Sequence, residues 1–400
     1  MTAARGVGTT ILAVAAVLVL VAVLMDWDRQ LDSSVAGPAP IASEPSLSPT
    51  PTPSASPYEF PEAQLHSALA DLCDNSRQES DDHQWTAAET QGQISAFNEL
   101  KRSLSERLSV SSSAEHLHLA ALLDNDPESR IDLLDRAVSR NPNDAFLLWG
   151  AVQICSKESD ATGCPLREWE KRLLEIDGQN SESWVRVAAN RYEAGEVDSA
   201  LEAMRYAATA AETRAYWTET IEMIERGFAA GSDYSFPERA EMAFGFAATE
   251  IPNFADYVTM CEERSANSVD WAYACLAYGE LVEDQGKTEM GVSIAFSIQK
   301  LAFKALGDAD DLAAVEQRRQ ARRQELLVSA GENYMATARL LLSSPAIFSA
   351  YLAAVRTHGE PGARAYLADE TSRLLREKPE LACEPQRAPS TAPKATTSLR

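Results

Sequence analysis

The chain has 400 residues with a formal net charge of −24, 45% hydrophobic residues and 24% charged ones. That hydrophobic content suits a folded protein, while the excess of carboxylates excludes a surface that works by neutralising nucleic-acid phosphates. The same charge repels anionic lipid surfaces, so any membrane attachment must come from an apolar segment.

Such a segment opens the chain. Residues 1–6 form a short tail carrying Arg5, and from Val7 to Met25 there is no charge. Ile11–Met25 is an unbroken apolar run. At 1.5 Å per helical residue, 7–25 spans about 28 Å, close to the hydrocarbon thickness of a bilayer. Arg5 lies on one side and Asp26, Asp28 and Asp32 on the other, so the positive-inside rule puts the tail in the cytoplasm. The expectation is a single-pass protein of a bacterial inner membrane with its main domain in the periplasm. A cleaved signal peptide is the alternative. Its nearest small-residue pattern, Ser34-Val35-Ala36, lies beyond a charged stretch, far from the apolar run.

Residues 26–57 follow as a linker, with prolines at 38, 40, 45, 49, 51, 53 and 57 among Ser, Ala and Thr. This composition favours extended polyproline II over a packed core. The proline-rich part can hold the next domain up to roughly 75 Å from the bilayer. Residues 384–400 have a similar composition and are expected to be disordered.

Between them, 58–383 reads as helices separated by short breakers, with no sustained period-two pattern and hence essentially no strand. Helices are predicted over 59–73, 84–108, 112–124, 128–140, 144–156, 165–176, 181–194 and 197–211. Further ones follow over 214–229, 237–249, 252–264, 269–284, 288–306, 309–329, 331–343, 345–357 and 362–377. Lengths of about 12–18 residues joined by short turns are those of helical-hairpin repeats.

The register sharpens this. In 181–214, Trp184, Val187 and Ala188 alternate large and small along a first helix, Gly195 marks a turn, and Val197, Ala200, Leu201, Met204 and Ala207 line a second. The segment resembles the tetratricopeptide repeat, a 34-residue helix–turn–helix. It departs at Arg191, where an aromatic is usual, and at Glu212, where a helix-ending proline is usual. Upstream, 145–180 repeats the pattern with Leu148, Ala151 and Val152, and 111–144 with Leu117, Leu134 and Ala137. The 111–144 unit ends in Asn141-Pro142-Asn143-Asp144, a helix stop followed by an N-cap. A similar hairpin spans 269–306 through Trp271, Ala274, Cys275, Tyr278 and Gly286. The resemblance implies an all-α fold, a right-handed stack of antiparallel helical hairpins (a TPR-like α-solenoid), behind the N-terminal transmembrane helix.

Six cysteines in an exported chain imply disulfides. Cys155 and Cys164 flank one predicted turn. Cys261 and Cys275 lie seven residues either side of Ser268, opposite one another in a hairpin that turns there. Cys73 and Cys383 remain, at the two ends of the folded region. No pair has zinc-site spacing, and no motif implies a metal or cofactor.

Other apparent motifs reduce to structure. His116 and His118 are two apart on a helix and point about 200° away from each other, which suits a surface or capping role. Gly286-Lys287-Thr288 lacks the first glycine and strand of a phosphate loop and reads as a helix–helix turn. Arg318, Arg319, Arg322 and Arg323 follow Asp308, Asp310 and Asp311 along one helix, as the helix dipole favours. No catalytic residues can be named.

In tetratricopeptide-like proteins the first helices line a groove that binds peptides. The resemblance therefore implies a partner site at Phe146, Trp149, Gln153, Glu182, Val185, Ala189 and Tyr192. Large aromatics are usually mostly buried, so a packed core role for Phe146 and Trp149 is the alternative. The functional expectation is a membrane-anchored extracytoplasmic scaffold for a protein or peptide partner. An envelope enzyme acting on cell-wall material is the alternative.

Overall fold

The computed structural model describes residues 87–158, 163–249, 254–329 and 340–377. The anchor at 7–25, the linker at 26–57, the predicted helix at 59–73, the tail at 384–400, Cys73 and Cys383 lie outside them. Among the described residues the chain is all-helical, with fourteen helices and no strand. None of these helices is long and apolar enough to cross a membrane.

In chain order they are α1 (Ala87–Ser109), α2 (Ala114–Leu123), α3 (Pro127–Arg140), α4 (Ala145–Lys157) and α5 (Leu166–Asp177). Next come α6 (Ser181–Glu193), α7 (Val197–Ala208), α8 (Trp217–Gly231), α9 (Phe236–Thr249) and α10 (Phe254–Ser265). The last four are α11 (Val269–Gln285), α12 (Glu289–Leu306), α13 (Ala309–Ser329) and α14 (Pro345–Glu377). Their ends follow local chemistry. Asp126 and Asp144 accept hydrogen bonds from the backbone N–H groups of Ser129 (3.0 Å) and Leu147 (3.2 Å), satisfying donors that a helix start leaves unpaired. Thr288 does the same for Gly291 at 3.1 Å, so Gly286-Lys287-Thr288 is the turn between α11 and α12. The two helices predicted over 345–357 and 362–377 meet at Gly359, where φ 76° and ψ 166° break the helical path of α14.

The pairs α2/α3, α4/α5, α6/α7, α8/α9 and α11/α12 pack on one another across short turns, and α2, α4 and α6 touch in succession. Ala188, Ala200 and Ala207 are fully buried where these helices approach closely. The ends of the 181–214 segment are tied by backbone and side-chain hydrogen bonds. Asn180 donates to Arg214 O and accepts from Arg214 N, both at 2.9 Å, while Ser181 N donates to Glu212 O at 2.8 Å.

After α7 the order of packing changes. The α8/α9 pair does not continue along α6/α7. Instead α8 lies against α1, α2 and α14, while α10 and α11 take up contact with α6 and α7. The chain thus builds two principal cores in alternation: α8, α9 and α14 join α1–α5 in one, and α10–α12 join α6 and α7 in the other. Glycines let α8 come close. A Cβ on Gly227 would sit 2.0 Å from Leu119 Cδ2, and one on Gly231 2.1 Å from Leu104 Cδ1. Ile221, Ile224 and Phe228 are then fully buried, each worth roughly 1.5–3 kcal/mol of transfer free energy.

Two disulfides staple the helices. Cys155 and Cys164 join α4 to the start of α5 with Cα atoms 6.0 Å apart, and Cys261 and Cys275 join α10 to α11 at 5.9 Å. Both distances lie within the reach of an unstrained bridge. The second hairpin turns at Ser268, which caps α11, so the two cysteines face each other as their spacing predicts.

Candidate functional site

The seven residues that the repeat resemblance assigns to a partner groove do share a face, on α4 and α6. That face is covered by the chain itself. Trp149, Gln153, Glu182, Val185 and Ala189 are buried; Phe146 and Tyr192 are half-buried. Tyr216, at the entrance to α8, packs its ring against Phe146 (5.7 Å between centroids) and Trp149 (5.5 Å). It does so from a left-handed backbone conformation (φ 53°, ψ 22°), which costs a bulky residue about 1–3 kcal/mol and is held by this packing. Over α6 the cover is α10, whose Glu263 accepts a hydrogen bond from the Tyr192 hydroxyl.

Beneath α10 lies a polar cluster inside the second core. Tyr278 of α11 donates to Glu182 Oε1 at 3.0 Å. Arg186, only 1% exposed, reaches Asp256 of α10 at 3.4 Å and lies 4.9 Å from the centre of the Tyr257 ring. Among the described residues Glu182 Oε2 makes no hydrogen bond. Burial pushes the Glu182 carboxyl up to about 7, against the lowering influence of the Tyr278 bond and the Arg186 charge. Burial also raises Tyr257 and Tyr278. An acid, an arginine and two tyrosines are the makings of acid–base chemistry, but Glu182, Arg186, Tyr257 and Tyr278 are each at most 3% exposed. The cluster joins α6 to α10 and α11.

The open surface lies elsewhere. A cleft of about 520 Å³ runs between α5 and α6, lined by Arg167, Lys171, Leu174, Trp184 and Arg191 with Glu170 and Glu175. Arg191 turns its guanidinium to Ser199 O at 3.3 Å. The Trp184 indole N–H donates to Gly178 O at 2.8 Å, and its ring stacks on Tyr206 of α7 at 4.5 Å.

Besides Tyr206, other large apolar side chains are exposed on the helices of this part of the fold. Ile176 (42% exposed), Tyr206 (48%), Val269 (61%) and Tyr273 (58%) lie on α5, α7 and α11. An ion pair between Arg205 and Asp270 at 2.9 Å ties α7 to α11. Val110 is the other large apolar side chain strongly exposed among the described residues.

The remaining motifs take structural places. His116 bonds Ser111 through Nδ1 at 2.9 Å near the start of α2. His118, expected at the surface or a cap, is instead buried against Phe146 (5.2 Å) and Gly150, and burial lowers its imidazole to about 4. Arg318 pairs with Glu283, Arg319 with Glu316, and Arg322 with Glu289 and Glu325. Among the described residues no three His, Cys, Asp or Glu gather as a metal site would need. Sequence reasoning missed Tyr216, Arg186 and the cleft; only the replacement at Arg191 signalled the last. Comparison with protein-family models and with curated proteins found no match to the chain.

Proposed function

We propose that the chain is a membrane-tethered, extracytoplasmic scaffold that binds a protein partner of the cell envelope. The apolar segment 7–25 supplies the anchor, with the short tail in the cytoplasm, and 26–57 supplies the reach. The helical domain acts as a TPR-like stack into which the α8/α9 pair is folded. Succession of contacts through α2, α4 and α6, and the 34-residue spacing of the Asn180–Arg214 brace, support that reading.

The observation that carries the binding role is the exposure of Tyr206 on α7 and of Val269 and Tyr273, one helical turn apart on α11, two helices that pack on each other. Aromatic side chains on rigid helices are efficient interface anchors, because little conformational entropy is lost when they are covered. The face on α4 and α6 is filled by Tyr216 and α10, so the partner docks on the outer side, over α7 and α11.

Site-specific photo-crosslinking in intact cells tests this. A photoreactive residue at Tyr206 or Tyr273 of the full-length chain gives a discrete adduct with one other protein, and the same residue at Val110 does not. Equal labelling from all three positions, or none from any, rules the reading out.

A further inference from the structure

We infer that the cleft between α5 and α6 is a peptide site that receives an acidic segment, its carboxylate on Arg191 and Lys171 and a neighbouring apolar side chain on Leu174 and Trp184. This deepens the partner-binding reading above and rests on it.

The charges decide the ligand class. Three cations and two carboxylates line the cleft, but the five are not equally occupied. Glu170 is buried and fully engaged, accepting from Asn190 at 2.9 Å and from Arg167 at 3.0 Å. Arg167 spends its other arm on Glu196 at 2.6 Å. Lys171 holds Glu175 only at 3.8 Å, with its side chain 78% exposed. Arg191 has no carboxylate partner among the described residues; its one hydrogen bond is to a backbone carbonyl. Arg191 is therefore left for a ligand, with Lys171 beside it only loosely held by Glu175, at the edge of an apolar floor. In a chain of net charge −24 the rest of the surface repels an acidic segment. At physiological ionic strength that repulsion is screened over about 8 Å, so the local guanidinium and ammonium govern binding.

Shape decides the rest. The cleft lies within the ~300–1,000 Å³ of ordinary ligand pockets and is too small for a helix lying in a groove. At one end the Trp184 ring stacks on exposed Tyr206, which extends the apolar floor outward along α7. An extended peptide can leave the cleft along that floor, whereas a small acid would use only the cleft.

The test pans a display library of random decapeptides on the full-length protein in detergent, then titrates the enriched sequence as a fluorescent peptide. Enrichment of Asp or Glu beside a large apolar residue is expected. Binding should weaken about tenfold or more when the acid is changed to its amide and in Arg191→Gln. Arg191→Lys should retain part of it. Should Arg191→Gln melt early, Lys171→Gln on the exposed lip gives the same comparison without touching the packing. No enrichment, enrichment of neutral or basic sequences, or binding indifferent to both substitutions overturns the inference. If the cleft fails while crosslinks at Tyr273 form, the scaffold reading survives alone. If peptides bind but no crosslink forms, the cleft stands and the scaffold reading falls.

Discussion

Glu182→Gln should stabilise the protein at alkaline pH and leave it nearly unchanged in acid. The carboxyl lies under α10 with one oxygen bonded to Tyr278 and the other without a partner among the described residues, and burial moves it from the ordinary 4.5 to about 7. A folded state that holds this proton more tightly than the unfolded chain is most stable below about pH 4.5. It loses that contribution as pH rises through about 7. The displacement corresponds to about 3 kcal/mol at pH 8, the cost of ionising a buried carboxyl, already partly offset by the Tyr278 bond and the Arg186 charge. Glutamine keeps an acceptor for Tyr278 and carries no charge, so it removes that cost. Urea unfolding of the two proteins, disulfides intact, should give unfolding free energies that coincide near pH 4.5 and differ by up to about 3 kcal/mol at pH 8. A glutamine protein less stable at pH 8 would show that the carboxylate is ionised and held by Arg186. The placement of the charge argued above would then be wrong.

Three further outcomes follow from the packing. Replacing Cys261 and Cys275 together with serine should cost about 2–3 kcal/mol, since their bridge closes a loop of 14 residues, and reductant should then have no added effect at that hairpin. Gly150→Ala should destabilise by about 1–3 kcal/mol, because its Cβ would meet His118 Nε2 at 2.2 Å. That cost should largely vanish in a His118→Ala background, and additive losses in the cycle would refute the contact. Asn180→Ala should lower stability by about 2–3 kcal/mol, because it removes the two bonds to Arg214 and those to Asp177 and Glu182 N. Hydrogen exchange should report the loss first at 177–182 and 211–214.

Much of the local structure was legible in the residues. Helix ends came within a few positions because capping by Ser113, Asp126, Asp144 and Thr288, and breaks at Pro142, Gly195 and Gly359, are decided by neighbours in the chain. The Cys261–Cys275 pair was legible for the same reason: a hairpin turning at Ser268 sets them opposite each other whatever else packs around it. The candidate binding face was not legible. Periodicity puts Trp149, Val185 and Ala189 on one side of α4 and α6, and it cannot say whether solvent or another helix lies over that side. Arg191 was visible as a departure, but the space it leaves depends on how α5 sits against α6.

The sequence by itself determined the helices, their pairing into hairpins and the two staples, because each depends on groups within one or two turns of chain. Only the tertiary structure decided that α8 lies on α1, α2 and α14 and not along α6 and α7, and that Tyr216 and α10 cover the face of α4 and α6. That choice rests on long-range complementarity, Gly227 against Leu119 and Gly231 against Leu104. Apolar burial is non-directional, and no local pattern records which partner a face will find.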